Sequence, residues 1–389
     1  MMSLSPFSSK RIKQLPTTIF TTMSRLAVEY NAINLGQGFP DFDGPDWIVE
    51  EAFRAMKSGK NQYAPMSGTK LLKEAIAALY KRQYELDYDP DNEITVTAGA
   101  TEALFSTMLS LIDEGDEVIL FEPYYDAHQA NTLIAGGVPV YVTLRKPNFH
   151  FREEDVARAI TPKTKLIVLN NPTNPAGKVF TQSELSCIAA LAVKHNLLVL
   201  SDEVYEFLTF GDARHIPIAS LPGMMERTIT ISSTGKTFSM TGWKIGYVVA
   251  NEFLTRTIQR MHQFVTFAVN TPGQYAMAHA MNNIESYLPE FRSMYERKRK
   301  ILSDGLKETV FAPHEVAGSY FLMGDIPSKF TGDDVECATK LVKEYGVATI
   351  PPSVFYGNSD EGRSMLRFCF AKRDETLREG IERLKKFFV

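Results

Sequence analysis

The chain has 389 residues, 44% hydrophobic and 23% charged, enough for two or three domains and unlike a disulfide-stapled mini-protein or a disordered chain. Its 42 Lys and Arg against 46 Asp and Glu leave a net charge of −4, so no excess of positive charge awaits a nucleic acid. Cys187, Cys337 and Cys369 form no CxxC pair and the 7 histidines no HExxH spacing, so neither a disulfide framework nor a metal site is expected, and a reducing compartment is the simplest setting.

The N-terminus is Ser-rich, with Lys10, Arg11, Lys13 and Arg25 and no acidic residue before Glu29, a weakly transit-peptide-like composition. Pro6 and Pro16 interrupt any amphipathic helix there, and no apolar run reaches membrane length, so a mature cytoplasmic terminus and no membrane partner are expected. Periodicity assigns nothing to the first forty or so residues. From about residue 94, short β-branched runs alternate with longer amphipathic stretches, the pattern of βα units around a parallel sheet. Strands are expected at Glu93 to Thr97, Glu117 to Phe121, Val138 to Thr143, Lys165 to Asn170, Leu197 to Ser201, Thr228 to Ser232 and Ile245 to Ala250. Thr181 and Glu184 have capping-box spacing and predict a helix running to about His195. One long helix is expected from about Pro272 to Leu306, its basic residues a solvated face and the whole a domain connector. Beyond it, strands at Ser319 to Asp325, Val347 to Ile350 and Met365 to Ala371, with helices near Asp333 to Glu344 and at the C-terminus, make an α+β arrangement.

Four segments carry candidate chemistry. Ser233-Thr234-Gly235-Lys236 follows a strand, and a lysine held at a sheet edge can lose water, drop its pKa and become a nucleophilic amine. Ser201-Asp202-Glu203-Val204-Tyr205 leaves another strand at its carboxyl end, where ligands of open parallel sheets collect. An acid there can hold a protonated heteroaromatic nitrogen, and Tyr205 can donate to an anionic oxygen on the same ring. Asn170-Asn171-Pro172-Thr173-Asn174-Pro175-Ala176-Gly177 reads as a rigid turn that can aim Asn174, although these are also ordinary turn residues. Gly99-Ala100-Thr101 joins a strand to a helix start, where free amides and the helix dipole can receive a phosphate.

In this order these motifs resemble the fold-type I aminotransferases that use pyridoxal 5′-phosphate (PLP), and within them the branch of methionine, kynurenine and glutamine aminotransferases. The resemblance runs from about Phe20 to the C-terminus and includes Asn34 to Phe42, Asn61-Gln62-Tyr63 and Arg367-Phe368-Cys369-Phe370. It implies an α/β fold: a large domain with a central, mostly parallel seven-stranded sheet flanked by helices, plus a smaller α+β domain. Residues 1–44 would be an N-terminal arm and part of the small domain, 45–284 the large PLP-binding domain, and 285–389 the C-terminal small domain.

By the same resemblance Lys236 forms the Schiff base with PLP and shuttles the proton. Asp202 pairs with the pyridinium nitrogen, and Tyr205 and Asn174 hydrogen-bond the ring oxygen. Gly99, Ala100, Thr101, Ser233 and Lys244 cup the phosphate, with Tyr63 reaching in from the partner subunit of a homodimer. Tyr125 stacks on the ring and is preferred to Tyr124. Arg367 clamps the substrate carboxylate, with Asn174 and Gly38 beside it. Lys244 stands where the wider class has arginine, which keeps the charge but not the bidentate fork and places the chain in the kynurenine branch.

Phe20, Phe39, Tyr125 and Phe267, the last from the neighbouring subunit, would line an aromatic substrate pocket. The segment His262 to Asn270 offers no arginine for a side-chain carboxylate, so aspartate is disfavoured as donor. The implied activity is ping-pong transfer of an amino group from a methionine-like, aromatic (including kynurenine) or glutamine donor to a 2-oxo acid. Alternatives are a cysteine-conjugate C–S β-lyase on the same site, or a PLP-sensing regulator, for which only about twenty residues precede Phe20.

Overall fold

The β-branched runs of the middle sequence meet in one sheet. The computed structural model describes residues 5–15 and 18–387, and Pro16 lies outside them. In chain order the strands are β1 (Ile33–Asn34), β2 (Ile94–Thr97), β3 (Glu117–Glu122), β4 (Val138–Thr143), β5 (Thr164–Asn170), β6 (Leu198–Asp202), β7 (Thr228–Ser233), β8 (Gly246–Val249), β9 (Ala312–Pro313), β10 (Phe321–Asp325), β11 (Val347–Ala348) and β12 (Met365–Cys369). The large sheet has the order β2-β8-β7-β6-β5-β3-β4. Five neighbouring strands, β7 through β4, run parallel, while β8 is antiparallel to both β2 and β7. Helices cover both faces, which is why β5 and β6 read as continuous apolar runs such as Leu166 to Leu169. The fold is thus the mostly parallel seven-stranded α/β architecture expected, and each strand lies within two residues of its expected bounds.

Thr181 and Glu184 close a reciprocal capping box at the start of the helix Gln182–Lys194. The long helix expected from Pro272 to Leu306 is instead two, Thr271–Asn282 and Ile284–Lys307. Asn283 separates them, its side-chain amide turned back to the His279 carbonyl at 2.8 Å. The first of the pair packs on Asp46–Lys57 and Lys70–Tyr84, the second on the C-terminal helix Asp374–Leu384. The expected helix near Asp333 to Glu344 is α-helical over Asp334–Lys340 and widens to a π turn at Leu341–Tyr345. In the C-terminal part β12, β10 and β9 form an antiparallel sheet, and β11 pairs in parallel with β1, so the two ends of the chain share an element. Ile350 lies beyond β11 and bridges Arg367.

This topology gathers three strand ends. Asn170 pairs with Asp202 and Asp202 with Ile231, so β5, β6 and β7 finish side by side. Gly246, at the start of β8, pairs with both Thr97 and Ser233 and brings the helix Gly99–Leu111 beside them. Among the described residues no helix is long and apolar enough to cross a membrane, and no cluster of His, Cys, Asp and Glu could hold a metal ion.

A side chain at Gly246 has no room: its Cβ would lie 2.6 Å from the Gly99 carbonyl carbon and 2.7 Å from the Ala100 nitrogen. Gly246→Ala is therefore expected to destabilise the protein by about 1–3 kcal/mol, as overpacking against backbone does. Denaturant unfolding checks this, and an unchanged midpoint would show that the two segments part freely.

Candidate active site

The gathered strand ends open into a cavity of about 260 Å³. Lys236 sits in it on a single helical turn, Thr234–Thr237, directly after β7. Ser233 caps that turn by accepting the Gly235 amide at 3.2 Å. Lys236 Nζ donates to the Gly38 carbonyl at 3.2 Å and to the Tyr320 hydroxyl at 2.9 Å, and Tyr320 in turn donates to Gly38 at 2.6 Å. Burial lowers the Lys236 pKa to about 8; Lys244 and Arg367 add to the effect, and Asp202 opposes it.

Asp202 ends β6 as a buried carboxylate, with His128 Nε2 3.0 Å from its Oδ2. The ring of Tyr205 meets that of Tyr320 edge-on at 5.0 Å, and burial raises the Tyr205 pKa well above its ordinary value. Tyr125 lines the cavity, whereas Tyr124 is buried away from it and stacks on Tyr141.

Arg367 is fully buried on β12. Nη1 donates to Asn174 Oδ1 at 2.8 Å and Nη2 to the Gly36 carbonyl at 2.6 Å. Its guanidinium lies 4.2 Å from the Phe321 ring centroid, 5.0 Å from Phe20 and 5.5 Å from Phe355. Burial brings its pKa down to about 10, so it stays protonated at neutral pH. Nε is buried without a partner and each Nη keeps a second N–H beyond the bond named, so the guanidinium has donors left for an acceptor.

At the other end, the helix Gly99–Leu111 begins without a side-chain cap, so its first amides lack acceptors within the helix. Lys244 takes a left-handed backbone conformation, φ 52° and ψ 49°, and its Nζ reaches the Thr101 hydroxyl at 3.0 Å.

The cavity wall therefore includes Phe20, Gly38, Gly99, Ala100, Thr101, Tyr125, Asn174, Asp202, Tyr205, Ser233, Lys236, Lys244 and Arg367. Three other sequence candidates are not on it. Tyr63 is 82% exposed and packs edge-on against Phe267 at 5.3 Å, while Phe39 is half exposed beside Lys372. Gly38 offers its carbonyl more than open space, since a Cβ there would lie 2.6 Å from the Phe321 ring. Sequence reading missed His128, Tyr320 and Phe321. The last two adjoin the Arg367 strand only through sheet pairing, and His128 had no signal beyond lying three residues after Tyr125.

These donors suit PLP: an uncapped helix start with a lysine for the phosphate, a buried carboxylate for a pyridinium, and an amine of lowered pKa between them. The pattern of the family Aminotransferase class I and II matches residues 30–384. The chain is 41% identical over 376 residues to methionine aminotransferase of Escherichia coli K12, covering 97% of each. It is 39% identical to kynurenine–oxoglutarate transaminase of Dictyostelium discoideum, covering 97% of this chain and 96% of that one. The solved structure of N-succinyldiaminopimelate aminotransferase from Mycobacterium tuberculosis superposes with a TM-score of 0.95 at 41% identity, covering 97% of this chain and 99% of that one. The chain belongs to the aminotransferase class I and II family. It is a PLP-dependent aminotransferase of fold type I.

Arg367→Lys removes the planar fork and leaves Asn174 and Gly36 competing for one ammonium. The apparent affinity for L-methionine is expected to fall about ten- to a hundredfold, the range for a charged hydrogen-bonded contact, with PLP binding much less affected. Steady-state kinetics and PLP titration check this, and unchanged affinity for the amino acid would remove the carboxylate role from Arg367.

Proposed function

We propose that this enzyme takes a methionine-like, aromatic (including kynurenine) or glutamine donor, passes the amino group to a 2-oxo acid, and acts as a homodimer. One observation carries the donor class. The buried Arg367 guanidinium, with its unpartnered Nε, is caged by the rings of Phe20, Phe321 and Phe355, and no second arginine lines the cavity among the described residues. One carboxylate has a clamp; a second, on a donor side chain, has none.

PLP, when bound, withdraws electrons from the amino acid joined to it and so weakens the bond from Cα to hydrogen. The protein supplies the rest. Arg367 fixes the donor's α-carboxylate and with it the direction of the Cα–H bond. Lys236 Nζ, whose burial favours the neutral amine, takes the proton from Cα and later returns one. Asp202, backed by His128, holds a proton on the pyridine nitrogen. Asn174 spends its Oδ1 on Arg367, which leaves its amide N–H groups to donate, with Tyr205, to the ring oxygen. Tyr125 packs on the ring. The amides of Gly99 to Thr101, with Ser233 and Lys244, receive the phosphate.

Tyr63 and Phe267 form one exposed aromatic pair, which suits a face closed by a second copy, with Tyr63 completing the partner's phosphate cup and Phe267 its substrate pocket. The β1 to β11 pairing supports grouping the arm, residues 1–44, with the small domain, 285–389, around a large domain of 45–284. Three free cysteines suit a cytoplasmic setting.

The test is the absorption spectrum of the protein with PLP before and after L-methionine, with borohydride trapping and peptide mapping. The cofactor band is expected to convert to the amine form, with the label on Lys236. Lys236→Ala is expected to lower turnover by roughly 10²–10⁴-fold or more, the weight of a positioned proton-transfer group. Full turnover in the folded variant, or conversion by L-aspartate as fast as by L-methionine, would contradict the assignment.

A further inference from the structure

Glu102 is a buried carboxylate in the first turn of the helix Gly99–Leu111. Its Oε2 accepts the Ala98 amide at 3.1 Å, and its Oε1 accepts the Ser106 hydroxyl and lies 3.0 Å from His262 Nδ1. The other ring nitrogen of the fully buried His262, Nε2, lies 3.0 Å from the Met66 carbonyl. A carbonyl and a carboxylate can only accept, so a ring facing both needs a proton on each nitrogen, which is the imidazolium form. His262 is also in the last turn of the helix Glu252–Val265, where the dipole favours a cation. One residue before Glu102, the Thr101 hydroxyl accepts from Lys244.

A bare carboxylate in that first turn would set a negative charge just behind the place where the phosphate must sit. We propose that His262 is a positioning residue for the cofactor: its imidazolium cancels the charge of Glu102 behind the phosphate cup, leaving the Gly99 to Thr101 amides and Lys244 to act on the phosphate unopposed. The inference rests on the phosphate cup proposed above. From the packed helix the group facing the ring is Glu102, and from the loop after Tyr63 it is the neutral Met66 carbonyl. Burial pulls the pKa of His262 down, but these two acceptors outweigh it and the net direction is up, in line with the doubly protonated ring that the two contacts require. Tyr63 lies three residues before Met66 and Phe267 five after His262, so the same contact places the loops carrying the exposed aromatic pair.

The test compares binding of PLP with that of pyridoxal, which lacks the phosphate, in a Lys236→Ala background where covalent capture is absent. His262→Gln is expected to weaken PLP about tenfold or more while changing pyridoxal less than about twofold, and adding Glu102→Gln is expected to recover most of the loss. Equal weakening of both ligands, or no recovery in the double variant, would overturn the role of His262. If the single His262 variant does not fold, Glu102→Gln alone decides: it should keep at least the parent's preference for PLP over pyridoxal, and a selective loss of PLP would be fatal to the inference. Lys244→Ala separates the two readings. Without a phosphate-selective loss there, the cup itself is misplaced; with one there but none in His262→Gln, only the role of His262 falls.

Discussion

Two buried basic side chains share one cleft, and the rest of the molecule is arranged around keeping them there. Lys236 and Arg367 are both buried, and burial weakens the hold of each on its proton. A buried charge without partners costs several kcal/mol, so each must be met by fixed oxygen atoms. The segment Gly36 to Gly38 provides them, with the Gly36 carbonyl on Arg367 and the Gly38 carbonyl on Lys236 and Tyr320. That requirement explains why a stretch near the start of the chain pairs through β1 with β11 near its end. Asn174 closes the ring of contacts from the carboxyl end of β5, so arm, large sheet and C-terminal sheet converge on one arginine.

The cleft combines polar groups with aromatic rings. Lys244 stands with an uncapped helix start, and Arg367 in a cage of rings. Asp202 and His128 form a buried pair at the carboxyl end of β6. Geometry of this kind positions the reacting atoms before chemistry begins, where much of the catalytic advantage of such sites arises. The family relationship and the geometry agree on the class of reaction.

Much of this was legible in the sequence because the chemistry sits at strand ends. Asp202 ends one buried strand and Lys236 closely follows another, and buried parallel strands are the easiest elements to read. The break at Asn283 in the helix expected from Pro272 to Leu306 was not legible because the apolar period continues on both sides, and the side-chain bond back to His279 that accompanies the stop is seen only in the fold. Helices such as Asp46–Lys57 lie ahead of the strand alternation on which the domain reading was built. His128 stayed hidden because its partner is 74 residues away, and their contact exists only once β3, β5 and β6 are ordered side by side. The role of Tyr320 likewise depends on β10 pairing with β12, which no local pattern records.

On this account burial lowers the Lys236 pKa to about 8 and so supplies a neutral, nucleophilic fraction of the amine near physiological pH. The most direct test is the rate at which a trace acylating reagent labels Lys236 in cofactor-free protein, followed by mass spectrometry across pH. Only the neutral amine reacts, so the rate should rise with pH and level off above about 8. A rate still climbing toward the ordinary lysine range near 10.5 would show that the cleft does not tune this lysine.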